Sequence, residues 1–197
     1  MQIDTEHLHY WMNAIRISNN PMRTLDAFWS GQIKSKEWLI KELEQLNVSP
    51  STIEIHGGWV GVLASLLFQS KVPVQHIVSV DIDPLVKHVA EEMNRLEHSE
   101  GIFRAETANM TNRYPVTNIV INTSFEHITQ EEYDKWLPNM FEDQLIVLQS
   151  NNYDIPEHVR ICQDIDEFKE QAGLSRILYE GELKLPLYTR YMLIGYK

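Results

Sequence analysis

The sequence predicts an α/β protein with a doubly wound, mostly parallel sheet, helices on both faces, an antiparallel C-terminal strand and a helical segment at the N-terminal end. Three observations carry this prediction. From about residue 50 onward, apolar runs of strand length alternate with segments of helical periodicity. The run "IEIHGGWVGVLASLLF", residues 53–68, passes from an alternating apolar strand through two adjacent glycines into an apolar stretch without proline. The chain closes on two strand-like runs, "SRILYEGELKL" and "YTRYMLIGYK", with a proline turn and no helix between them. Strands separated by helices run parallel. The terminal pair must be antiparallel to each other, because a parallel return needs about a dozen residues.

The elements follow in order. Up to about Leu46 the chain reads as helical, with "AIRISNNPMRTLDAFWSG" interrupted at Asn19-Asn20-Pro21. "SKEWLIKELEQLN" carries Trp38, Leu39, Leu43 and Leu46 at helical spacing behind Ser35 as N-cap. "SPST" turns the chain into the first strand, "TIEIH", and "VGVLASLLFQS" is an apolar helix. "HIVSVDI" is a second strand. "DPLVKHVAEEMNRL" has Pro84 in its first turn and Leu85, Val86, Val89, Met93 and Leu96 on one face. "GIFRAET", "TNIVINTS" and "DQLIVLQS" are strands, while "TQEEYDKWLPNM" and "DIDEFKEQAGL" are helices, the second ending near Gly173. Seven strand candidates result.

Composition narrows the function. The 197 residues suit one domain of ordinary size with a real core. With 17 Lys and Arg against 28 Asp and Glu, the net charge is −11, and there is no basic run. That argues against nucleic acid or an anionic membrane as partner, since both require clustered cationic side chains. A single cysteine, Cys162, excludes an intramolecular disulfide and fits a reducing, cytoplasmic compartment. "MQIDTEHLHYW" lacks the apolar core of a signal peptide, and "WVGVLASLLF" is about half of a membrane span.

A strand that turns through glycine into a helix brings backbone amides and the positive end of a helix dipole to a ligand. Around Gly57 and Gly58, the order His56-Gly57-Gly58-Trp59-Val60-Gly61 matches a dinucleotide fingerprint only at Gly58 and Gly61, and no Gly-Lys-Ser/Thr follows. Two carboxylates refine the reading. Asp81, at the end of the second strand, is placed to accept ribose hydroxyls of an adenosine-type ligand. Glu54, beside the turn, suits an ammonium group and would repel a pyrophosphate.

At these residues the chain resembles the class I S-adenosylmethionine-dependent methyltransferases, over about residues 50–197. "IEIHGG" resembles the family's acidic-x-Gly-x-Gly motif, "VDIDP" its ribose-binding segment and "AETANM" its adenine loop. "NIVINTSFEHI" resembles the fourth-strand motif and "LPNMFEDQLIVLQS" the lead into the fifth strand. The resemblance departs at His56 and Val60, which stand at motif glycines, and at Glu142-Asp143, which replace a Gly-Gly. It implies a Rossmann-like, seven-stranded sheet with a reversed strand and a core over 49–197, which leaves the helical residues 1–48 as a cap or lid. It also implies S-adenosyl-L-methionine as cofactor, held by Glu54, His56, Gly57, Gly58, Asp81, Ile82, Asn109, Met110 and Asn122.

A sulfonium methyl is already electrophilic, so the protein supplies alignment, desolvation and sometimes a base. Glu126 and His127 directly follow the fourth strand and are the candidate catalytic pair. The structural alternative is that His127 caps the next helix and Glu126 bonds a backbone amide. In "QSNNY", Asn151 and Tyr153 are candidate acceptor contacts, although Asn-Asn is also an ordinary turn pair. Tyr10 and Trp11, in the aromatic cluster "EHLHYWM", either wall the pocket as part of a lid or dock on the core. His158 and Cys162, with Glu126 and His127, offer metal-type donors, but no Cys/His spacing repeats and no metal is expected.

The function expected is direct methyl transfer to a small-molecule or peptide-like acceptor. The alternatives are a noncatalytic S-adenosylmethionine-binding or scaffold protein and an aminocarboxypropyl transferase using the same cofactor, with a nicotinamide dehydrogenase behind them. Neither the acceptor nor the oligomeric state follows from the sequence.

Overall fold

A computed structural model describes residues 4–197. Its seven strands form one sheet: β1 (Ser51–His56), β2 (Val74–Asp81), β3 (Phe103–Thr107), β4 (Ile119–Asn122), β5 (Leu145–Asn151), β6 (Arg176–Lys184) and β7 (Thr189–Tyr196). The order is β3-β2-β1-β4-β5-β7-β6. β1 with β2, β2 with β3, and β4 with β5 are parallel, whereas β7 runs antiparallel to both β5 and β6. This is the doubly wound, mostly parallel sheet expected, with its antiparallel ending. The chain forms two compact units, residues 1–109 and 110–197. The expected cap, residues 1–48, falls inside the first unit, and its residues 1–3 lie outside those described.

In the first unit, α1 (Thr5–Ile17) starts at Asp4, whose side chain accepts from the Glu6 N–H, and α2 (Pro21–Asp26) starts at Asn20, which accepts from the Arg23 N–H. Asn19-Asn20-Pro21 separates them because the Asn20 side chain caps one helix and proline fits only a first turn. α3 (Ser30–Gln45) begins five residues before the expected Ser35 cap. No proline lies between Ser30 and Ser35, Gly31 is accommodated as a buried residue of the first turn, and Ser35 is buried within the helix. Leu39, Ile40 and Leu43 are its core face.

The expected helix after β2 is shorter and broken into α5 (Lys87–Met93) and α6 (Arg95–Ser99), while α4 (Val62–Phe68) follows the glycine turn as predicted. Asp81 Oδ1 accepts from the Asp83 N–H and Asp83 Oδ1 from the Leu85 N–H, so local side-chain bonds hold residues 82–85 as turns and leave Leu85 exposed rather than on the apolar face. Asn94 breaks the run because its side-chain amide donates to the Gly61 and Ala90 carbonyls.

In the second unit, α7 (Gln130–Trp136) opens with a capping box between Thr129 and Glu132, and α8 (Ile165–Ala172) ends at Gly173 in the left-handed conformation. Its core groups Phe125, Tyr133, Trp136, Phe168 and Tyr191 with the inward residues of β4, β5 and β7. β5 is buried along its whole length. β6, at the sheet's end, alternates between exposed and half-buried positions.

Candidate functional site

The glycine turn of the first unit is built by close approach. Gly57, Trp59 and Gly61 all have positive φ, at 65°, 49° and 81°. A Cβ on Gly58 would lie 2.0 Å from the Ser79 Oγ, and one on Gly61 would lie 2.6 Å from the Asn94 side-chain nitrogen. The Gly58 N–H donates to the Val80 carbonyl at 3.0 Å. Gly58 therefore presses the loop onto β2 and Gly61 presses it onto α5. The amide expected to face a ligand at Gly58 is used within the fold.

Trp59, which the motif comparison passed over, carries the loop's contact with the ribose candidate. Its N–H donates to Asp81 Oδ2 at 2.9 Å, and Asp81 Oδ1 accepts from the Asp83 N–H at 2.9 Å. A carboxylate has about four acceptor positions, so two remain for ribose hydroxyls. Ile82, beside it, is 68% exposed. The indole Nε1 of Trp59 is buried without a hydrogen-bond partner among the described residues. Glu54 and His56 are both buried, with the His56 Nε2 and Glu54 Oε1 2.8 Å apart, so the carboxylate expected to meet an ammonium group is met by an imidazole on the same strand face. Asn109 is exposed at the end of this unit.

The N-terminal helices are fastened to this part of the first unit. Arg23 pairs with Asp83 at 2.5 Å, and its guanidinium lies 6.0 Å from the Trp59 ring centroid. The Asp83 carboxyl is held below its ordinary range by the Arg23 hydrogen bond and then by the Leu85 N–H. Trp11 is buried and donates from Nε1 to the Ser65 Oγ at 2.8 Å, and its ring lies 5.4 Å from that of Phe28. The docked alternative thus describes Trp11 better than the pocket wall, because its one polar atom and its ring are both engaged in the core. Tyr10 is half-buried, 5.7 Å ring to ring from His9. A cavity of about 30 Å³ between α2, Trp59 and Val86 admits only a water-sized group.

In the second unit, Asn122 is buried, accepts from the Ser124 N–H and directs its side-chain amide to the half-buried Met110 sulfur at 3.7 Å. A 3-10 turn, Phe125–His127, follows β4. Glu126 is 2% exposed, and its Oε1 accepts from the Asn151 side-chain amide at 2.7 Å and the Arg190 guanidinium at 3.2 Å. Arg190 also donates to the Thr123 carbonyl at 2.7 Å. Glu126 Oε2 is buried and has no partner among the described residues. His127 is exposed and does not cap α7, a role that Thr129 fills. Its ring lies 4.8 Å from that of His158. Tyr153 donates its N–H to Asn151 Oδ1 and stacks on Tyr188 at 5.0 Å.

Glu126, His127, Asn151, Tyr153 and His158 are therefore linked by hydrogen bonds and ring contacts. Arg190 and Tyr188 were missed; they come from the last hairpin, and no local spacing signals them. Cys162 donates its N–H to the Asn151 carbonyl at 3.0 Å, but its thiol is not grouped with the donors of Glu126, His127 and His158. It is buried, with Ser150 and Gln171 at 3.5 Å, and burial pushes its thiol up to about 11.

No family model matches the chain, and no curated protein matches it. Solved structures do. The chain is similar to magnesium protoporphyrin IX methyltransferase (ChlM) from Synechocystis PCC 6803 with bound SAH, at 13% identity and a TM-score of 0.68, over 96% of this chain and 93% of that one. It is similar to the pyocyanin biosynthetic protein PhzM (14% identity, TM-score 0.66) and to the S-adenosylmethionine-dependent methyltransferase SibL in its apo form (11%, 0.65), covering 95% of this chain and 62% of each of those. The strand order, the reversed β7 and these similarities establish that the chain has the fold of class I S-adenosylmethionine-dependent methyltransferases.

Proposed function

We propose that the protein is an S-adenosylmethionine-dependent methyltransferase that transfers the methyl group directly to an oxygen, nitrogen or carbon of a small-molecule or peptide-like acceptor. The observation that carries this reading is Asp81 at the end of β2, fixed by the Trp59 N–H with acceptor capacity left over and an exposed apolar residue, Ile82, next to it. Ribose hydroxyls meet the first and an adenine face suits the second. The unpartnered Trp59 Nε1 offers a further donor at the same loop. In this reading Gly57, Asn109, Met110 and Asn122 complete the cofactor contacts, while Glu54 and His56 support the loop from within β1.

The cofactor, when bound, supplies an electrophilic methyl group. The protein's part is orientation and proton handling. Glu126 is buried and paired with Arg190, and Asn151 holds its Oε1. Nδ1 of His127 lies 3.0 Å from the Glu157 carbonyl, so Nδ1 carries the proton and Nε2 is left to accept one from an acceptor O–H or N–H. Asn151 and Tyr153 orient the acceptor.

Calorimetry tests the cofactor assignment. S-adenosylmethionine should bind, and Asp81→Ala should weaken it about ten- to a hundredfold, the loss of a charge-assisted hydrogen bond. Tight nicotinamide dinucleotide binding with no S-adenosylmethionine binding would overturn the assignment. The product then identifies the chemistry: S-adenosylhomocysteine for methyl transfer, methylthioadenosine for aminocarboxypropyl transfer, and none for a binding scaffold.

A further inference from the structure

We infer that Glu126, His127 and His158 form a binding site for one divalent first-row transition ion, of the kind that zinc or cobalt fills. One donor atom from each of the three lies within 4.8 Å of the others. Donor pairs on a tetrahedral ion are about 3.3 Å apart at zinc–nitrogen lengths, so the three donors draw together by at most about 1.5 Å to close on an ion.

Three features separate this cluster from an accidental grouping. Glu126 Oε2 is buried with no hydrogen-bond partner among the described residues, in a side chain whose other oxygen is held by Asn151 and Arg190. An orphaned carboxylate oxygen is costly to bury, and a cation would satisfy it. Both imidazoles are oriented through backbone: His127 Nδ1 lies 3.0 Å from the Glu157 carbonyl and His158 Nδ1 lies 2.6 Å from the Tyr153 carbonyl. Those contacts fix the proton on Nδ1 in each ring and leave Nε2 as the lone-pair donor, the arrangement that a carbonyl bonded to the other ring nitrogen imposes on metal-bound histidines. The stack of Tyr153 on Tyr188 holds the segment that carries the Tyr153 carbonyl.

The chemistry also selects the ion. Two imidazoles and one carboxylate oxygen suit zinc, cobalt or iron, whereas calcium and magnesium require more oxygen donors. Arg190 already offsets the Glu126 charge through Oε1, which lowers the attraction for any cation, so the site depends on the two imidazoles and discriminates against hard ions. Ion occupancy does not rest on the methyltransferase reading; only its use to polarise an acceptor hydroxyl or amine does. An imidazole that ligates cannot serve as a base, so occupancy also chooses between two roles for His127.

The test is titration of the untagged, chelator-treated chain with Co²⁺, followed by its visible absorption, and with Zn²⁺ by calorimetry, neither needing cofactor nor acceptor. One ion per chain with a distinct cobalt band is expected. His158→Ala and His127→Ala should each weaken binding about tenfold or more, and Glu126→Gln should do the same if it folds. Absence of saturable binding, or binding equal in wild type and in the His127→Ala/His158→Ala double variant, overturns the site. Failure of S-adenosylmethionine to bind while cobalt loads would instead overturn the functional reading and leave the site standing.

Discussion

The Trp59 N–H donates to Asp81 Oδ2 at 2.9 Å, joining the first glycine turn to the end of β2 across 22 residues of chain. Trp59 holds this position at a φ of 49°, a region that a bulky residue rarely occupies. The strain is tolerated because its neighbours over-determine the loop: Gly58 sits against Ser79, and Gly61 sits against Ala90 and Asn94.

Gly58→Ala should therefore destabilise the protein by about 1–3 kcal/mol through overpacking. The added Cβ would meet Ser79 Oγ at 2.0 Å but Ser79 Cβ only at 3.2 Å, so removing the hydroxyl removes the worst clash. Urea unfolding of Gly58→Ala, Ser79→Ala and the double variant checks this. The double variant should recover much of the loss, and strictly additive effects would show that the approach to β2 is not the reason for glycine.

A second relationship, between Glu126 and Arg190, lies 64 residues apart in sequence and almost wholly out of solvent, with side chains 3% and 5% exposed. Arg190→Ala leaves a buried carboxylate without its cation and should cost about 3–5 kcal/mol. Replacing both partners with apolar residues of similar volume should cost much less. Chemical denaturation of the two variants measures the difference, and equal losses would mean that the pair contributes shape rather than charge compensation.

These relationships mark where the sequence is informative. Asp81 was legible because a carboxylate at the end of a second strand occupies a position set by topology. The strand pattern was legible because alternation, glycine turns and a helix-free terminal pair are local signals. Trp59 was not, since its importance lies in a backbone N–H and a φ value that its side chain does not advertise. Arg190 was not, because its partner is chosen by the antiparallel register that sets Arg190 opposite Asn151. Ser35 and Leu85 misled because capping and amphipathic spacing are local rules: α3 extends N-terminally past Ser35 and buries it, and Leu85 is held outside the helix by the Asp83 side chain.

The N-terminal helix offers the last test. His7 Nε2 lies 2.7 Å from Glu97 Oε1, Trp11 donates to Ser65 at 2.8 Å, and the Asn13 side chain donates to Glu92 at 2.7 Å. Three side chains within two turns of α1 thus bond to α4, α5 and α6, two of them in buried contacts. A segment held in this way opens only when that part of the core opens. Amide exchange across residues 7–16 should be slow without ligand and nearly unchanged by S-adenosylmethionine. Trp11→Ala should cost about 3–5 kcal/mol in stability, the range for removing a buried tryptophan, and a folded variant should keep its cofactor affinity within a few-fold. Strong ligand-induced protection over these residues, with little loss of stability on removing Trp11, would restore α1 as a moving lid. The expected result confines any closing motion to residues C-terminal to α1, where Arg23 reaches Asp83 and the face of Trp59.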